Sequence, residues 1–181
     1  MAETTETPLR DHIRTIPDFP VPGIQFRDVT TLFNHAAAFQ RAVDAMAEPY
    51  LDRHVDAIAA MDARGFILGG ALAYKLGLPL VPIRKKGKLP GRTLVEAYSL
   101  EYGEAVVEIH EDAFEAGARV LLVDDLIATG GTAVAGVKLI ERLGGHLVAA
   151  SFVVDLPDLG GRARLGEMGV ETHALVSFEG H

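Results

Sequence analysis

Thirteen residues in the second half of the chain constrain its fold more than any other stretch. Residues 120–132 read VLLVDDLIATGGT: four apolar residues, two adjacent carboxylates, a short apolar spacer and a turn of small residues. Such an unbroken apolar run is typical of a parallel strand that is covered on both faces. Asp124 and Asp125 would then lie at its carboxyl end, where ligands bind in open α/β sheets. The stretch therefore predicts an α/β domain with a binding site at this edge.

The chemistry of the same stretch indicates what the site binds. Two adjacent carboxylates supply paired acceptors for neighbouring sugar hydroxyls. Gly130 and Gly131 allow successive backbone N–H groups to turn inward, and Thr129 and Thr132 add hydroxyl donors, which together form an anion nest. Apolar periodicity predicts a helix directly afterwards, so its dipole would point at the nest. A ribose phosphate is the predicted ligand. The alternative is an ordinary strand, acidic turn and helix of a doubly wound domain, which would show the same order of residues.

Composition places the chain among globular proteins. Its 181 residues are 49% hydrophobic and 23% charged, which predicts one domain over 1–181. The chain has no cysteine, which excludes disulfides and thiolate metal sites. A net charge of -8 argues against a nucleic-acid partner. No leader pattern precedes the domain and no apolar run approaches the roughly 20 residues of a membrane span, so we expect no membrane partner and a cytoplasmic location.

Hydrophobic periodicity and turn residues predict the order of the remaining elements. A short helix is expected from about residue 8 to 16, followed by a proline-rich turn and an extended segment at 24–28. Further helices are expected at about 36–50, 66–76, 133–143 and 162–168. Buried strands are expected at about 55–61, 80–83, 105–110, 120–123, 147–154 and 170–177. Strands that alternate with helices indicate a doubly wound sheet.

Two segments could supply positive charge for an anionic substrate. Arg64 follows the strand at 55–61, beside a glycine and a helix start, where it could meet an anion; a surface arginine is the alternative. The basic loop, residues 84–92, carries five basic side chains among its nine residues. Its two glycines and one proline favour a phosphate-binding loop over a solvated edge.

Two other segments each allow two interpretations. Residues 93–103 show no sustained period, which predicts an irregular lid with Glu101 and Tyr102 as its best placed polar groups; a β-hairpin with solvent-facing side chains is the alternative. Phe26, in the extended segment, is either a core residue or an aromatic face for a planar base.

Five blocks of sequence, in one order, carry a family resemblance. They read FPVPGIQFRD at 19–28, ARGF at 63–66, IRKKGKLPG at 83–91, YSLEYG at 98–103 and VDDLIATGGT at 123–132. Together they resemble the adenine phosphoribosyltransferases of the type I phosphoribosyltransferase family, over nearly the whole chain. The resemblance implies an α/β fold with a mostly parallel central sheet and helices on both faces. It also implies a small N-terminal hood segment at about 1–35, and a basic loop and flexible lid at about 84–104.

The resemblance implies an activity as well. The family transfers the phosphoribosyl group of phosphoribosyl pyrophosphate to adenine, which gives AMP and pyrophosphate in purine salvage. It requires Mg²⁺ and acts as a homodimer, in which part of the basic loop can serve the neighbouring subunit. Mg²⁺ would be held through the substrate, without a direct protein ligand.

The same resemblance assigns roles to the matching residues. The ribose hydroxyls would be bound by Asp124 and Asp125. The 5′-phosphate would be held by Ala128, Thr129, Gly130, Gly131 and Thr132. Pyrophosphate would be bound by Arg64, Arg84, Lys85 and Lys88. Adenine would be met largely through backbone groups by Ile24, Gln25 and Arg27, and stacked between Phe26 and Leu159. Catalysis would involve Glu101, Arg64 and Tyr102, with Glu101 as the proton acceptor.

One departure and two alternatives accompany the resemblance. The family often has ESRGF where residues 62–66 read DARGF, so residue 63 lacks a hydroxyl. A phosphoribosyltransferase for another purine is one alternative; Ala128 favours adenine, since enzymes for hypoxanthine and guanine typically carry aspartate there. A non-catalytic sensor in a transcription regulator is the other. An acidic chain with only about twenty residues before the proline-rich segment disfavours that sensor, because a helix-turn-helix needs more.

Overall fold

The computed structural model describes residues 7–99 and 104–180, which form an N-terminal hairpin and a larger sheet with helices. The strands are β1 Arg14–Pro17, β2 Gln25–Asp28, β3 Ala57–Met61, β4 Leu80–Lys85, β5 Thr93–Ser99, β6 Glu104–His110, β7 Arg119–Val123, β8 Leu126–Ile127, β9 His146–Asp155 and β10 Thr172–Ser177. The helices are α1 Thr30–Phe33, α2 Ala36–Ala47, α3 Arg64–Leu76, α4 Gly131–Arg142 and α5 Gly161–Glu167. Short 3-10 turns lie at Leu9–His12, Glu48–Tyr50 and Pro157–Leu159.

The larger sheet is mostly parallel, as predicted. Its strand order is β10-β9-β7-β3-β4-β6-β5, and β8 pairs with the end of β9. The strands from β10 to β4 are parallel neighbours. The pairs β4 with β6 and β5 with β6 are antiparallel. The carboxyl ends of β3, β4, β7 and β9 therefore meet at one edge of the sheet.

Helices cover both faces of this sheet, which also confirms the prediction. Along β7, Leu121 and Val123 pack in the core shared with α2 and α3. The alternate residues, Val120 and Leu122, pack in the core shared with α4 and α5. This alternation follows from the two-residue period of a strand. Among the described residues, no helix has both the length and the apolar character to cross a membrane.

The N-terminal segment differs from the helix expected at 8–16. Only Leu9–His12 forms a single 3-10 turn, and Arg14–Pro17 is a strand that pairs antiparallel with β2. The guanidinium of Arg14 donates to the carboxylate of Asp28 across this hairpin at a distance of 2.5 Å. An isolated helix of nine residues is marginal in water, so pairing with a distant strand determines the conformation instead.

The irregular conformation expected for residues 93–103 is wrong for residues 93–99, where the structure shows the alternative, a β-hairpin. These residues form β5, whose register with β6 runs from Thr93 opposite His110 to Ser99 opposite Glu104. Contacts from α4 stabilise the hairpin, since the carboxylate of Glu96 pairs with Lys138 and Arg142 at 3.2 and 3.0 Å. Such long-range pairs cannot be inferred from the sequence of the segment alone. Glu101 and Tyr102, expected on the lid, lie outside the described residues.

Candidate active site

A cleft of about 400 Å³ opens at the carboxyl-terminal edge of the sheet. Its lining includes nine of the predicted site residues: Arg64, Lys85, Asp124, Asp125, Ala128, Thr129, Gly130, Gly131 and Thr132. Parallel strands explain this convergence, because the turns after β3, β4 and β7 must all lie at the same edge. The cleft therefore unites the predicted ribose, phosphate and pyrophosphate groups.

The backbone of the two acidic residues is fixed by the neighbouring strand β9. The backbone N–H of Asp124 donates to the carbonyl of Ser151 at 3.1 Å, and the carbonyl of Asp125 accepts from Val153 and Val154 at 3.1 and 3.0 Å. The Oδ1 atom of Asp124 also accepts from the N–H of Asp125 at 2.8 Å. Burial, and then the charge of Asp125, raise the pKa of Asp124 well above its ordinary value. An added cation or hydroxyl donor would relieve this concentration of negative charge.

Arg64 brings positive charge to the same point. It is the first residue of α3, and its Nε atom donates to Oδ2 of Asp125 at 2.5 Å. The preceding Asp62–Ala63 peptide bond is cis. Although burial lowers it, the pKa of Arg64 is raised overall by the carboxylates of Asp125 and Asp124. The guanidinium is therefore a fixed cation in the cleft.

The anion nest lies where β8 leads into α4. Gly130 has a left-handed φ of 81° and immediately precedes the helix. No described side chain caps this helix, so its first N–H groups face the cleft. The nest is supported from α5, because Gly161 N–H donates to the carbonyl of Ala128 at 2.9 Å. A Cβ on Gly130 would lie 2.9 Å from the Cα of Gly161, so two glycines permit this contact.

The N-terminal hairpin places an aromatic face beside the cleft. Phe26 is only partly buried, and the guanidinium carbon of Arg64 lies 5.8 Å from its ring centroid. Phe19 supports Phe26 edge-on, with ring centroids 5.1 Å apart. Phe26 is therefore not enclosed in the core, and its stacking on a planar base stays a prediction. Ile24 and Gln25 precede Phe26 on the same hairpin and are also partly buried.

Arg27 and Leu159, the other two residues expected to contact adenine, pack against different parts of the chain. The side chain of Arg27 donates to the Thr15 hydroxyl and the Glu179 carbonyl at 2.5 and 3.3 Å, and it stacks on Phe178. Its guanidinium therefore holds the C-terminal segment, and the contact expected from its backbone stays a prediction. Leu159 lies on the 3-10 turn after β9 and packs partly against the core on the α2 and α3 face.

Arg84 and Lys88 do not line the cleft. The Nε atom of Arg84 donates to Asp62 at 3.2 Å, and its NH1 group donates to the Lys88 carbonyl at 3.1 Å. Arg84 thus joins the loop after β3 to the basic loop. The side chain of Lys88 is exposed. Direct binding of pyrophosphate by these two residues stays a prediction.

Tyr98 was missed as a cleft residue by sequence reasoning. It lies near the end of β5 and lines the cleft beside the nest. Leu94 and Tyr98 pack on the same α4 side of the hairpin. The alternation of Leu94, Glu96 and Tyr98 could have revealed this face, had the segment been assigned as a strand.

The acidic groups of the cleft fit one mode of magnesium binding. Within residues 7–99 and 104–180, no three acidic or histidine side chains cluster closely enough to enclose a metal ion. Mg²⁺ is often bound by one or two carboxylates together with substrate phosphates. Asp124 and Asp125, beside the nest, would add negative charge near a magnesium ion that is held by a phosphorylated substrate, so the lining fits a metal that needs no direct protein ligand.

The sequence is similar to those of a known enzyme family. Residues 28–165 match the phosphoribosyl transferase domain family. The chain is 62% identical to adenine phosphoribosyltransferase from Roseobacter denitrificans over 172 residues, covering 95% of this chain and 98% of the relative. It is 63% identical to the one from Cereibacter sphaeroides over 176 residues, covering 97% and 99%.

Solved structures of similar proteins superpose on most of the chain. Adenine phosphoribosyltransferase from Rhodothermus marinus gives a TM-score of 0.88 at 48% identity, covering 94% of this chain and 96% of that chain. The Saccharomyces cerevisiae protein, in complex with adenine and an imino-altritol bisphosphate, gives 0.87 at 38% identity, covering 93% and 96%.

Proposed function

Since the chain belongs to the phosphoribosyl transferase family, we propose that it transfers the phosphoribosyl group of 5-phosphoribosyl 1-pyrophosphate to adenine, giving AMP and pyrophosphate for purine salvage. The observation that carries this proposal is the convergence of the acid pair, the nest and Arg64 in one cleft. Relatives named adenine phosphoribosyltransferase, similar over nearly their full length, support adenine as the acceptor.

The proposed reaction matches the charges of the cleft. Adenine nitrogen forms a bond to C1′ of the ribose while the bond from C1′ to pyrophosphate breaks, and the bonding electron pair leaves with pyrophosphate. Arg64 and Lys85 stabilise this departing anion, with Arg84 and Lys88 assigned to the same side. Asp124 and Asp125 bind the ribose hydroxyls and offset the positive charge that develops on the sugar. When bound, magnesium supplies further positive charge to the pyrophosphate oxygens.

The remaining roles concern the phosphate and the base. Residues 128–132 hold the 5′-phosphate at the N-terminus of α4. Adenine stacks between Phe26 and Leu159, with its edge directed to the backbone at Ile24, Gln25 and Arg27. The aromatic exposure of Phe26 at the cleft supports this arrangement.

Glu101 is proposed as the acceptor of the proton that adenine loses, with Tyr102 beside it on a lid that excludes water. Glu101→Gln is expected to lower kcat more than it raises KM. Glu104→Gln, an exposed neighbour at the start of β6, is the matched control and should leave both constants unchanged. An unchanged kcat for Glu101→Gln would remove Glu101 from the mechanism.

A homodimer is the proposed assembly. Ile67 and Tyr74 lie seven residues apart on one face of α3 and are 48% and 92% exposed, and Leu80 nearby in the chain is 40% exposed. Exposed large apolar side chains on one face support a contact with a second copy. Tyr74→Glu should shift the mass measured by light scattering from dimer to monomer, whereas Val95→Glu, on the β5 hairpin, should not. A monomeric wild-type protein would contradict the assembly.

A cytoplasmic location is also proposed. The lack of cysteine in the sequence is compatible with a reducing compartment. Cell fractionation with an antibody to the protein tests this location.

The decisive experiment is a turnover assay. Protein, magnesium, phosphoribosyl pyrophosphate and adenine are mixed, and AMP and pyrophosphate are quantified. We expect both products in equal amounts, and the Asp124→Asn, Asp125→Asn double variant serves as the inactive control. Tight binding of phosphoribosyl pyrophosphate without turnover would instead favour a sensor.

A further inference from the structure

A buried carboxylate lies beneath the basic loop, outside the cleft. Glu108 is in the middle of β6 and is only 4% exposed. Its Oε1 atom accepts from the backbone N–H groups of Lys88 and Leu89, each at 2.8 Å. Its Oε2 atom accepts from the hydroxyl of Thr93 at 3.3 Å. One side chain therefore contacts the middle of the segment that joins β4 to β5 and the first residue of β5.

The hydrogen bonds explain how this charge is tolerated in the interior. Burial alone raises the pKa of Glu108, but N–H donors from Leu89, Gly87 and Lys88 hold its pKa below the ordinary value. A buried carboxylate needs such partners, because an unpaired buried charge strongly destabilises the folded protein. Backbone N–H groups stabilise the carboxylate of Glu108, so this carboxylate does not need to pair with a lysine of the loop.

The lysines of the basic loop consequently remain available. Lys85, Lys86 and Lys88 are exposed, and none forms an ion pair with the part of the chain that the structure describes. Lys85 also lines the cleft. Had Glu108 paired with one of these ammonium groups, part of the positive charge facing the substrate would have been cancelled.

Other backbone contacts give the loop a defined shape. Lys86 N–H donates to the carbonyl of Val106 at 2.9 Å, and Lys88 N–H lies 3.2 Å from the carbonyl of Lys85. Gly87 allows this turn with its φ of 82°. The contacts of Glu108 follow directly after the turn, so they fix the part of the loop that has no strand partner.

We propose that Glu108 is a positioning residue for the binding of pyrophosphate. Its hydrogen bonds hold the backbone of the basic loop in place, so that Lys85 stays at the cleft and the ammonium groups of the loop stay unpaired. This inference rests on the proposed function, because it assumes that the leaving group binds on the side of the basic loop. Glu108 does not contact the substrate in this proposal. It acts through the conformation of Lys85 and the neighbouring residues of the loop.

The test compares Glu108 with a carboxylate of the same hairpin. Glu108→Leu removes both acceptor oxygens, and Glu108→Gln keeps one acceptor without the charge. Glu96→Leu and Glu96→Gln make the same chemical changes on β5, where Glu96 contacts α4 and no residue of the loop. The dissociation constant of magnesium pyrophosphate is measured by calorimetry, together with KM for phosphoribosyl pyrophosphate and for adenine.

We expect Glu108→Leu to weaken pyrophosphate binding by roughly tenfold or more, since hydrogen bonds to a charged group are worth about 1.5 to 3 kcal/mol. Glu108→Gln should show a smaller loss in the same direction. KM for phosphoribosyl pyrophosphate should rise in parallel, while KM for adenine stays constant. The Glu96 variants should bind pyrophosphate like the wild type.

A second readout reports the conformation of the loop directly. Trypsin cleaves after lysine and arginine, so cleavage within residues 84–92 is followed by mass spectrometry at a temperature where every variant is folded. Faster cleavage is expected for the Glu108 variants than for the Glu96 variants. If Glu108→Leu does not fold, Glu108→Gln decides the outcome.

Pyrophosphate affinity and loop cleavage equal to those of the Glu96 variants would overturn the inference and leave Glu108 a purely structural residue. A wild-type protein that binds magnesium pyrophosphate but does not transfer phosphoribosyl to adenine would overturn the proposed function alone. In that case the binding and cleavage comparisons still decide the role of Glu108.

Discussion

The Nε atom of Arg64 lies 2.5 Å from Oδ2 of Asp125, so a cation proposed for pyrophosphate is paired with a carboxylate proposed for ribose. Sixty-one residues separate the two in the chain. The side chain of Asp125 is 6% exposed, whereas that of Arg64 is 42% exposed and is therefore partly screened by solvent. In the proposed reaction, each residue would exchange its partner for substrate groups.

A double-mutant cycle on this pair should give a coupling free energy of about 1 kcal/mol for unfolding, near the upper end for solvent-screened pairs. The variants are Arg64→Gln, Asp125→Asn and both together, and the measurement is urea unfolding without ligand. The ion pair Lys75 with Asp44, exposed on both sides, is the control and should show weaker coupling. Additive effects for Arg64 and Asp125 would contradict a stabilising pair.

Asp124→Asn should stabilise the ligand-free protein at neutral pH while lowering kcat/KM. The raised pKa of Asp124 means that its ionisation disfavours the folded state, so the destabilisation is absent below the ordinary pKa of 3.8 and grows as pH rises through the raised value. Asparagine removes the charge and keeps an acceptor for the Asp125 N–H. Thermal unfolding at several pH values tests this, and a variant whose gain in stability did not grow with pH would contradict it.

Asp28→Asn should destabilise the protein at pH 6 and progressively less as the solution becomes acidic. Burial raises the pKa of Asp28, but bonds from Thr30 and Arg14 outweigh it and lower the pKa to about 2. The contribution is present above the ordinary pKa and disappears as pH falls through about 2. The shift corresponds to about 2 kcal/mol. Urea unfolding at pH 6, 4 and 3 measures it; a constant difference between variant and wild type would refute it.

Gly161→Ala should raise KM for phosphoribosyl pyrophosphate through the nest. A Cβ at this position would lie 2.7 Å from the backbone nitrogen of Gly130, so the phosphate-binding backbone must shift. Gly166 lies in the same helix, and a Cβ there would meet no atom within 4 Å other than its chain neighbours and the backbone of its own helix, so Gly166→Ala should leave KM unchanged. Equal KM values for the two variants would show that the nest does not depend on α5.

Adenine should be preferred over hypoxanthine and guanine, because Ala128 offers a methyl group where enzymes for 6-oxopurines carry aspartate. A mispaired buried polar group costs about 1 to 3 kcal/mol, which predicts roughly tenfold to a hundredfold discrimination in kcat/KM. The three bases are compared at fixed magnesium and phosphoribosyl pyrophosphate. Comparable values for adenine and hypoxanthine would reject the base assignment and leave phosphoribosyl transfer intact.

The sequence by itself determined the parallel core and most of the cleft. The apolar run of β7, the two acidic residues and the glycine-threonine turn follow one another directly in the chain. Their positions relative to one another could therefore be predicted from local sequence. Helices α3 and α4 were likewise visible from local periodicity. Arg64 and Lys85 could be placed because the turns after parallel strands all reach one edge of the sheet.

Only the tertiary structure decided features that depend on partners far apart in the chain. Residues 14–17 form a strand because β2 pairs with them, and β5 is regular because it pairs with β6 and contacts α4. The side chain of Arg27 turns to Glu179, 152 residues away, and the carboxylate of Glu108 binds the loop about twenty residues before it. Local sequence shows the propensity and the hydrophobic period of a segment. These strands and side-chain contacts depend instead on hydrogen bonds and ion pairs whose partners come together only when the sheet has formed.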